Sequence, residues 1–104
     1  MIYDIVITER ADKMIDRLLY YLLHKLCNPP AALKFINNLE NIYNRMRESP
    51  LQFPRCRDEL LKSKGYRQAL FSNMNYRVIF RVEENIVYIL GIFHTLEDYE
   101  RKIN

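Results

Sequence analysis

A single α+β domain with the element order β-α-α-β-β-β is what this chain of 104 residues predicts. Three observations carry that expectation. The length is that of one ordinary domain. Between residues 9 and 48 apolar side chains recur at three- and four-residue intervals, the period of a helix burying one face. Residues 2–7 and three runs within 66–93 are instead rich in β-branched and aromatic residues, in the alternating or continuous patterns of strands. With 49% apolar and 28% charged residues, the composition is that of a folded globular chain rather than a disordered one.

Ile2, Tyr3, Ile5, Val6 and Ile7 predict the first strand. Thr8 is placed to cap a helix, with Glu9 and Asp12 in the first turn where the helix dipole favours acids. Ala11, Met14, Ile15, Leu18, Leu22 and Leu26 form its apolar stripe. Asn28-Pro29-Pro30 ends this helix and opens the next, because Asn is a good N-cap and proline is tolerated only in a first turn. Ala32, Phe35, Ile36, Leu39, Ile42, Tyr43 and Met46 carry the second stripe until Ser49-Pro50 stops it. The two helices form an antiparallel hairpin. From Leu51 to Gly65 no period holds, so a surface loop is expected, with one helical turn around residues 58–62. Strands over 66–71, 76–82 and 86–93, joined by short polar links, predict an antiparallel meander. The continuous apolar run at 86–90 predicts that the last strand is central and covered on both faces. Thr95 and the acids and bases after it predict a short C-terminal helix.

Several function classes are excluded at this level. Two glycines are too few for the Gly-rich loops that cradle phosphates in nucleotide sites, so no nucleotide cofactor is expected. Cys27 and Cys56 form no C-x-x-C pair, and His24 and His94 stand far from both, so no metal site is expected. An acid at position 4 is unlike the basic start of a signal peptide, and the longest apolar run, 18–23, is far short of the roughly 20 residues that span a bilayer. The expectation is a cytoplasmic protein with reduced thiols and no membrane partner.

The formal net charge of +3 is unevenly spread. Residues 55–81 hold seven bases against two acids, a local +5 that leaves −2 for the rest of the chain. In the strand at 76–82, alternation places Tyr76, Val78, Phe80 and Val82 on one face and Arg77, Ile79 and Arg81 on the other. Those arginines read either as a solvated outer face or as an anion site, to which Arg67 adds from the neighbouring strand, since guanidinium forks suit phosphate and carboxylate. His94, at the end of the last strand, reads either as a general acid or base, because imidazole titrates near neutrality, or as a structural histidine. His24 reads as a boundary residue. Most of the eight tyrosines fall in helical stripes or strands and read as core, leaving Tyr99 as the one set apart. Residues 18–23 are apolar nearly all round, so one side of that helix is free to meet a partner.

The order of these elements, with specific phrases at their joints, resembles the RelE/ParE toxin superfamily of bacterial type II toxin–antitoxin modules. The phrases are Pro30-Ala31-Ala32-Leu33-Lys34-Phe35, Met46-Arg47-Glu48-Ser49-Pro50, Gly65-Tyr66-Arg67, Asn75-Tyr76-Arg77-Val78-Ile79-Phe80-Arg81-Val82 and Val87-Tyr88-Ile89-Leu90-Gly91-Ile92-Phe93-His94. Their order and spacing span nearly the whole chain. The resemblance implies a growth-inhibiting toxin of the plasmid-stabilisation kind, neutralised by a cognate antitoxin in a toxin–antitoxin hetero-oligomer. Two targets divide the superfamily. The RelE-like branch cleaves mRNA in the ribosomal A site with basic residues on the sheet and a C-terminal aromatic or histidine; the ParE-like branch poisons DNA gyrase without catalytic chemistry of its own.

The RelE-like pattern is met in part. Arg67 stands at the first basic position of the second strand and Arg77 matches the third-strand arginine, but Ala69 occupies the next basic position. His94 and Thr95 fall where a basic residue follows the last strand, and Tyr99 lies near the functional C-terminal tyrosine. If the chain is a ribonuclease, the resemblance makes Arg67, Arg77 and His94 the catalytic candidates; for a partner or an anion they are Arg67, Arg77, Arg81 and Tyr99. Pro29-Pro30, the Glu48-Ser49-Pro50 helix exit and the Phe93-His94 strand end look closer to ParE. A degenerate toxin that serves only as a binding module is the third reading.

Overall fold

A computed structural model describes residues 2–95. The first strand, β1 (Asp4–Ile7), leads directly into α1 (Glu9–Tyr20). Thr8 caps α1 as expected: its hydroxyl oxygen accepts from the amide of Ala11 at 3.2 Å and donates to the carbonyl of Ile89 at 2.7 Å, so the cap also ties the helix to the sheet. The predicted helix to Leu26 is not uniform. After Tyr20 it widens into a π-helical turn, Tyr21–Lys25, closed by a bond from the amide of Leu26 to the carbonyl of Tyr21, and Cys27 takes a positive φ of 48°. The extra residue per turn leaves Leu22 buried but turns Leu23 and Leu26 to solvent. Asn28 then caps α2 (Pro29–Glu48), its side-chain oxygen accepting from the amide of Ala31 at 3.1 Å. A 3-10 turn (Pro50–Gln52), α3 (Glu59–Ser63), β2 (Arg67–Leu70), β3 (Tyr76–Glu83) and β4 (Ile86–His94) follow.

The sheet has the order β1-β4-β3-β2. The meander β2-β3-β4 is antiparallel as predicted, but β1 joins β4 in parallel, Asp4 facing Ile86 and Ile7 facing Ile89, so the sheet is mixed. A parallel partner is the consequence of connectivity: the helical hairpin carries the chain back across the sheet before β2 begins. β4 is central, as its continuous apolar run predicts. A bulge lies opposite Ile79 and Phe80, where β4 spends one residue more than β3. It allows Val87, Ile89 and Ile92 to face the same side although their spacing breaks strict alternation.

That side is covered by the hairpin. Phe35, Leu39, Ile42 and Met46 from α2 and Ala11 and Leu22 from the first helical arm pack on Val78, Phe80, Val87, Ile89 and Ile92. Phe35 lies tilted against Phe71, their centroids 5.2 Å apart, and meets Tyr76 edge-on at 5.7 Å. The opposite side has its own smaller core of Cys56, Leu61, Ile79 and Phe93. The segment after the 3-10 turn supplies it. Its path is fixed by backbone bonds from the Gln68 amide to the Pro54 carbonyl and from the Cys56 amide to the Tyr66 carbonyl, which pair residues 54–56 with the outer edge of β2. The expected loop thus folds onto the sheet, with α3 as its predicted helical turn and Gly65, at φ 76°, making the turn into β2. The predicted C-terminal helix lies outside the described residues.

Candidate functional site

Register decides what the arginines can do together. Arg77 lies opposite Leu70 and Ile79 opposite Gln68, so Arg77 shares its face with Gln68 and the smaller core. Its Nη1 donates to Gln68 Oε1 at 3.0 Å. The thiol of Cys56 sits in the same surroundings and is pushed up to about 11, first by burial and then by the Asp58 carboxylate, against the opposing pull of the Arg77 guanidinium. Arg67, in contrast, lies opposite Phe80 and points to the hairpin side of the sheet, where its Nη1 donates to the carbonyl of Phe53 at 2.7 Å. Arg67 and Arg77 are on opposite faces. The expected addition of Arg67 to the Arg77 site is not what the fold builds, because Arg67 pairs with Phe80 and Arg77 stands an odd three residues from Phe80 along β3, so the two project to opposite faces.

The other candidates are also dispersed. Arg81 is on the face of Arg77, but four residues along the strand, roughly 13 Å at an extended rise. Its guanidinium lies 4.1 Å from the centre of the Tyr88 ring and is ion-paired with Glu83. His94 lies opposite Tyr76, with the two rings edge-on at 5.7 Å, at the end of β4 and on the hairpin side. Ala69 is fully buried, so no side chain there reaches a ligand. Tyr99 lies outside the described residues. Among those residues no group of three or more His, Cys, Asp or Glu side chains is placed to hold a metal ion, and no helix is long and apolar enough to cross a membrane.

The family model described as the ParE toxin of the type II toxin–antitoxin system, parDE, matches residues 5–99. The chain belongs to the ParE toxin family. Among proteins of curated function, none matches it. The fold of this ParE-family chain is shared by three solved structures. A chromosomal ParDE system from P. aeruginosa is 19% identical, covering 89% of this chain and 96% of that one at a TM-score of 0.71. The RelE toxin of E. coli, a substituted form in the free state, is 15% identical over 99% and 94% of the two chains, at 0.68. The RelBE2 toxin–antitoxin complex of Mycobacterium tuberculosis is 21% identical over 90% and 99%, at 0.59.

The ParE-family fold also gathers residues that sequence reasoning missed. Arg45, near the end of α2, lies with its guanidinium 4.5 Å from the centre of the Phe53 ring, and its Nε and Nη2 donate to Gln52 Oε1 at 3.3 and 3.1 Å. Phe53 in turn meets Phe80 edge-on at 5.7 Å. Arg55 is directly across from Arg67 in the short pairing of residues 54–56 with β2. No periodicity marks 50–56 as part of the sheet, and Pro54 reads as a breaker. The only signal available in the sequence was the excess of bases itself. At the far end of the molecule Tyr20, Tyr21, Leu23 and Leu26 of this ParE-family chain are exposed together at the hairpin tip, with the Tyr20 and His24 rings 4.6 Å apart.

Proposed function

We propose that this chain is the toxin of a type II toxin–antitoxin module of the plasmid-stabilisation kind, acting as a ParE-like protein. It inhibits growth by binding a macromolecular target, DNA gyrase, without catalysing a reaction, and a cognate antitoxin neutralises it in the cytoplasm within a hetero-oligomer. The placement of Arg67, Arg77 and His94 carries this reading. A ribonuclease must bring basic groups and a proton carrier to one phosphate within hydrogen-bond reach. Here Arg67 and His94 lie on the hairpin side and Arg77 on the opposite side, with Arg77 engaged by Gln68. The exposed apolar hairpin tip and the edge strand β1, with Val6 exposed, offer an antitoxin segment both apolar surface and a strand edge to pair with.

Induced expression in bacteria tests the proposal, with plasmid topology and mRNA 5′ ends followed together. Relaxed plasmids and intact messages are the expected outcome, reversed by co-expression of the small protein encoded beside the toxin. Message cleavage in phase with A-site codons would replace this reading with the RelE-like ribonuclease. Harmless expression would leave only a binding module.

A further inference from the structure

Three arginines from three elements are brought to one place beside Phe53, on the hairpin side of the sheet. Arg45 comes from α2 and lies over the ring; Arg67 comes from β2 and donates to the Phe53 carbonyl; Arg55 comes from the chain paired with β2 and stands directly opposite Arg67. Directly opposed residues of paired strands project to the same face, and like charges so placed disfavour the fold. A compensating acid is absent: among the described residues none of the three stands in an ion pair. What holds Arg45 and Arg67 is neutral, the Gln52 side-chain oxygen and an aromatic face for the one and a backbone carbonyl for the other. Cations brought together on one face without an acid beside them are a setting that suits an anion.

We propose that Arg45, Arg55 and Arg67 form a phosphate-binding site that grips the backbone of duplex DNA. Planar forks of this kind match phosphate oxygens better than ammonium groups do. The charge does not end at the cluster. Arg57 and Lys62 continue the exposed bases along the segment beyond Arg55, which pairs with the outer edge of β2 and is anchored by Cys56 and Leu61 in the smaller core across the sheet, so the bases form a ridge along that edge. An extended polyanion neutralises such a ridge; a single free anion does not. The aromatic residues choose duplex over single strand. Single-strand binders need open rings on which bases stack. Here the ring at the site, Phe53, is only 5% exposed and lies under the Arg45 guanidinium at 4.5 Å, so the site offers contacts to backbone and none to bases. This inference deepens the proposed function and rests on it in one respect: a protein that engages gyrase meets duplex DNA there.

The test is fluorescence anisotropy of a short labelled DNA duplex titrated with the full chain from low to physiological salt. Binding is expected to weaken with a logarithmic salt slope of roughly 3, one for each phosphate contacted. Arg55→Gln and Arg45→Gln each lower that slope by about 1 and weaken binding several-fold, while Arg10→Gln, on the exposed face of α1, changes neither. Arg55 is exposed and, among the described residues, its side chain makes no hydrogen bond or ion pair, so its variant keeps the test valid if Arg45→Gln unfolds. Unchanged slopes, tighter binding to single-stranded or RNA oligomers, or binding to a Glu-rich peptide with none to the duplex would each overturn the site. Gyrase inhibition without duplex binding overturns this site alone. Duplex binding with gyrase untouched supports the site and overturns the target.

Discussion

Arg77 is a residue whose setting matters more than its charge. Its guanidinium is half-buried beside Gln68, which is itself only 7% exposed, and the pair closes the smaller core on one side. Removing Arg77 therefore strands a buried amide oxygen, and Arg77→Ala should cost about 1–3 kcal/mol in urea unfolding. Arg57→Ala, on the exposed ridge, should stay within about 0.5 kcal/mol. A loss of toxicity in Arg77→Ala is accordingly to be compared at equal protein abundance. Cys56 gives a second residue-scale outcome. Burial holds its thiol protonated up to about 11, above the ordinary 9.0, so the folded state resists the ionisation that the unfolded chain allows. A raised folded-state value contributes stability that is intact below pH 9 and lost as pH rises towards 11. Melting temperatures should fall through that window, and less so in Cys56→Ala. Near neutral pH a thiol reagent should modify exposed Cys27 alone until the protein unfolds.

At the scale of elements, what was legible in the sequence was what local chemistry determines. Thr8 and Asn28 announced both helix starts, and the caps form as the side chains dictate. Ala11, Leu18, Phe35, Leu39 and Met46 kept helical spacing and reached the core. What was not legible depends on partners distant along the chain. The π turn at Tyr21–Lys25 inserts a residue that no pattern announces, which is why Leu26 leaves its predicted stripe. The bulge in β4 arises from pairing with β3, and the strand-like path of 54–56 from the open edge of β2. Gly91 sits at that bulge. A Cβ there would lie 2.7 Å from Cε2 of the Phe93 ring, which is fully buried, and 3.1 Å from Met14 Sδ, so the clash falls on the ring. Gly91→Ala should destabilise the protein by about 1–3 kcal/mol in urea unfolding, as overpacking does. An unchanged midpoint would mean that the bulge is not held by close packing.

For the molecule as a whole, the mixed sheet separates the basic residues that sequence places close together. Alternation along 76–82 assigned Arg77 and Arg81 to one face, and register between strands, which no single strand encodes, put Arg67 on the other. The local excess of bases between 55 and 81 therefore supplies two sides: Arg77 and Arg81 against the smaller core and Tyr88, and Arg55 and Arg67 beside Arg45 around Phe53. The fold of a ParE-family chain is thus combined with a division of its arginines between two faces, which is the arrangement the proposed gripping mode needs. Supercoiling of relaxed plasmid by purified gyrase, in the presence of the purified chain, tests that claim most directly. The account predicts that supercoiling is lost in proportion to added protein and restored by the cognate antitoxin. Full supercoiling at every concentration of a protein that still arrests growth would contradict it.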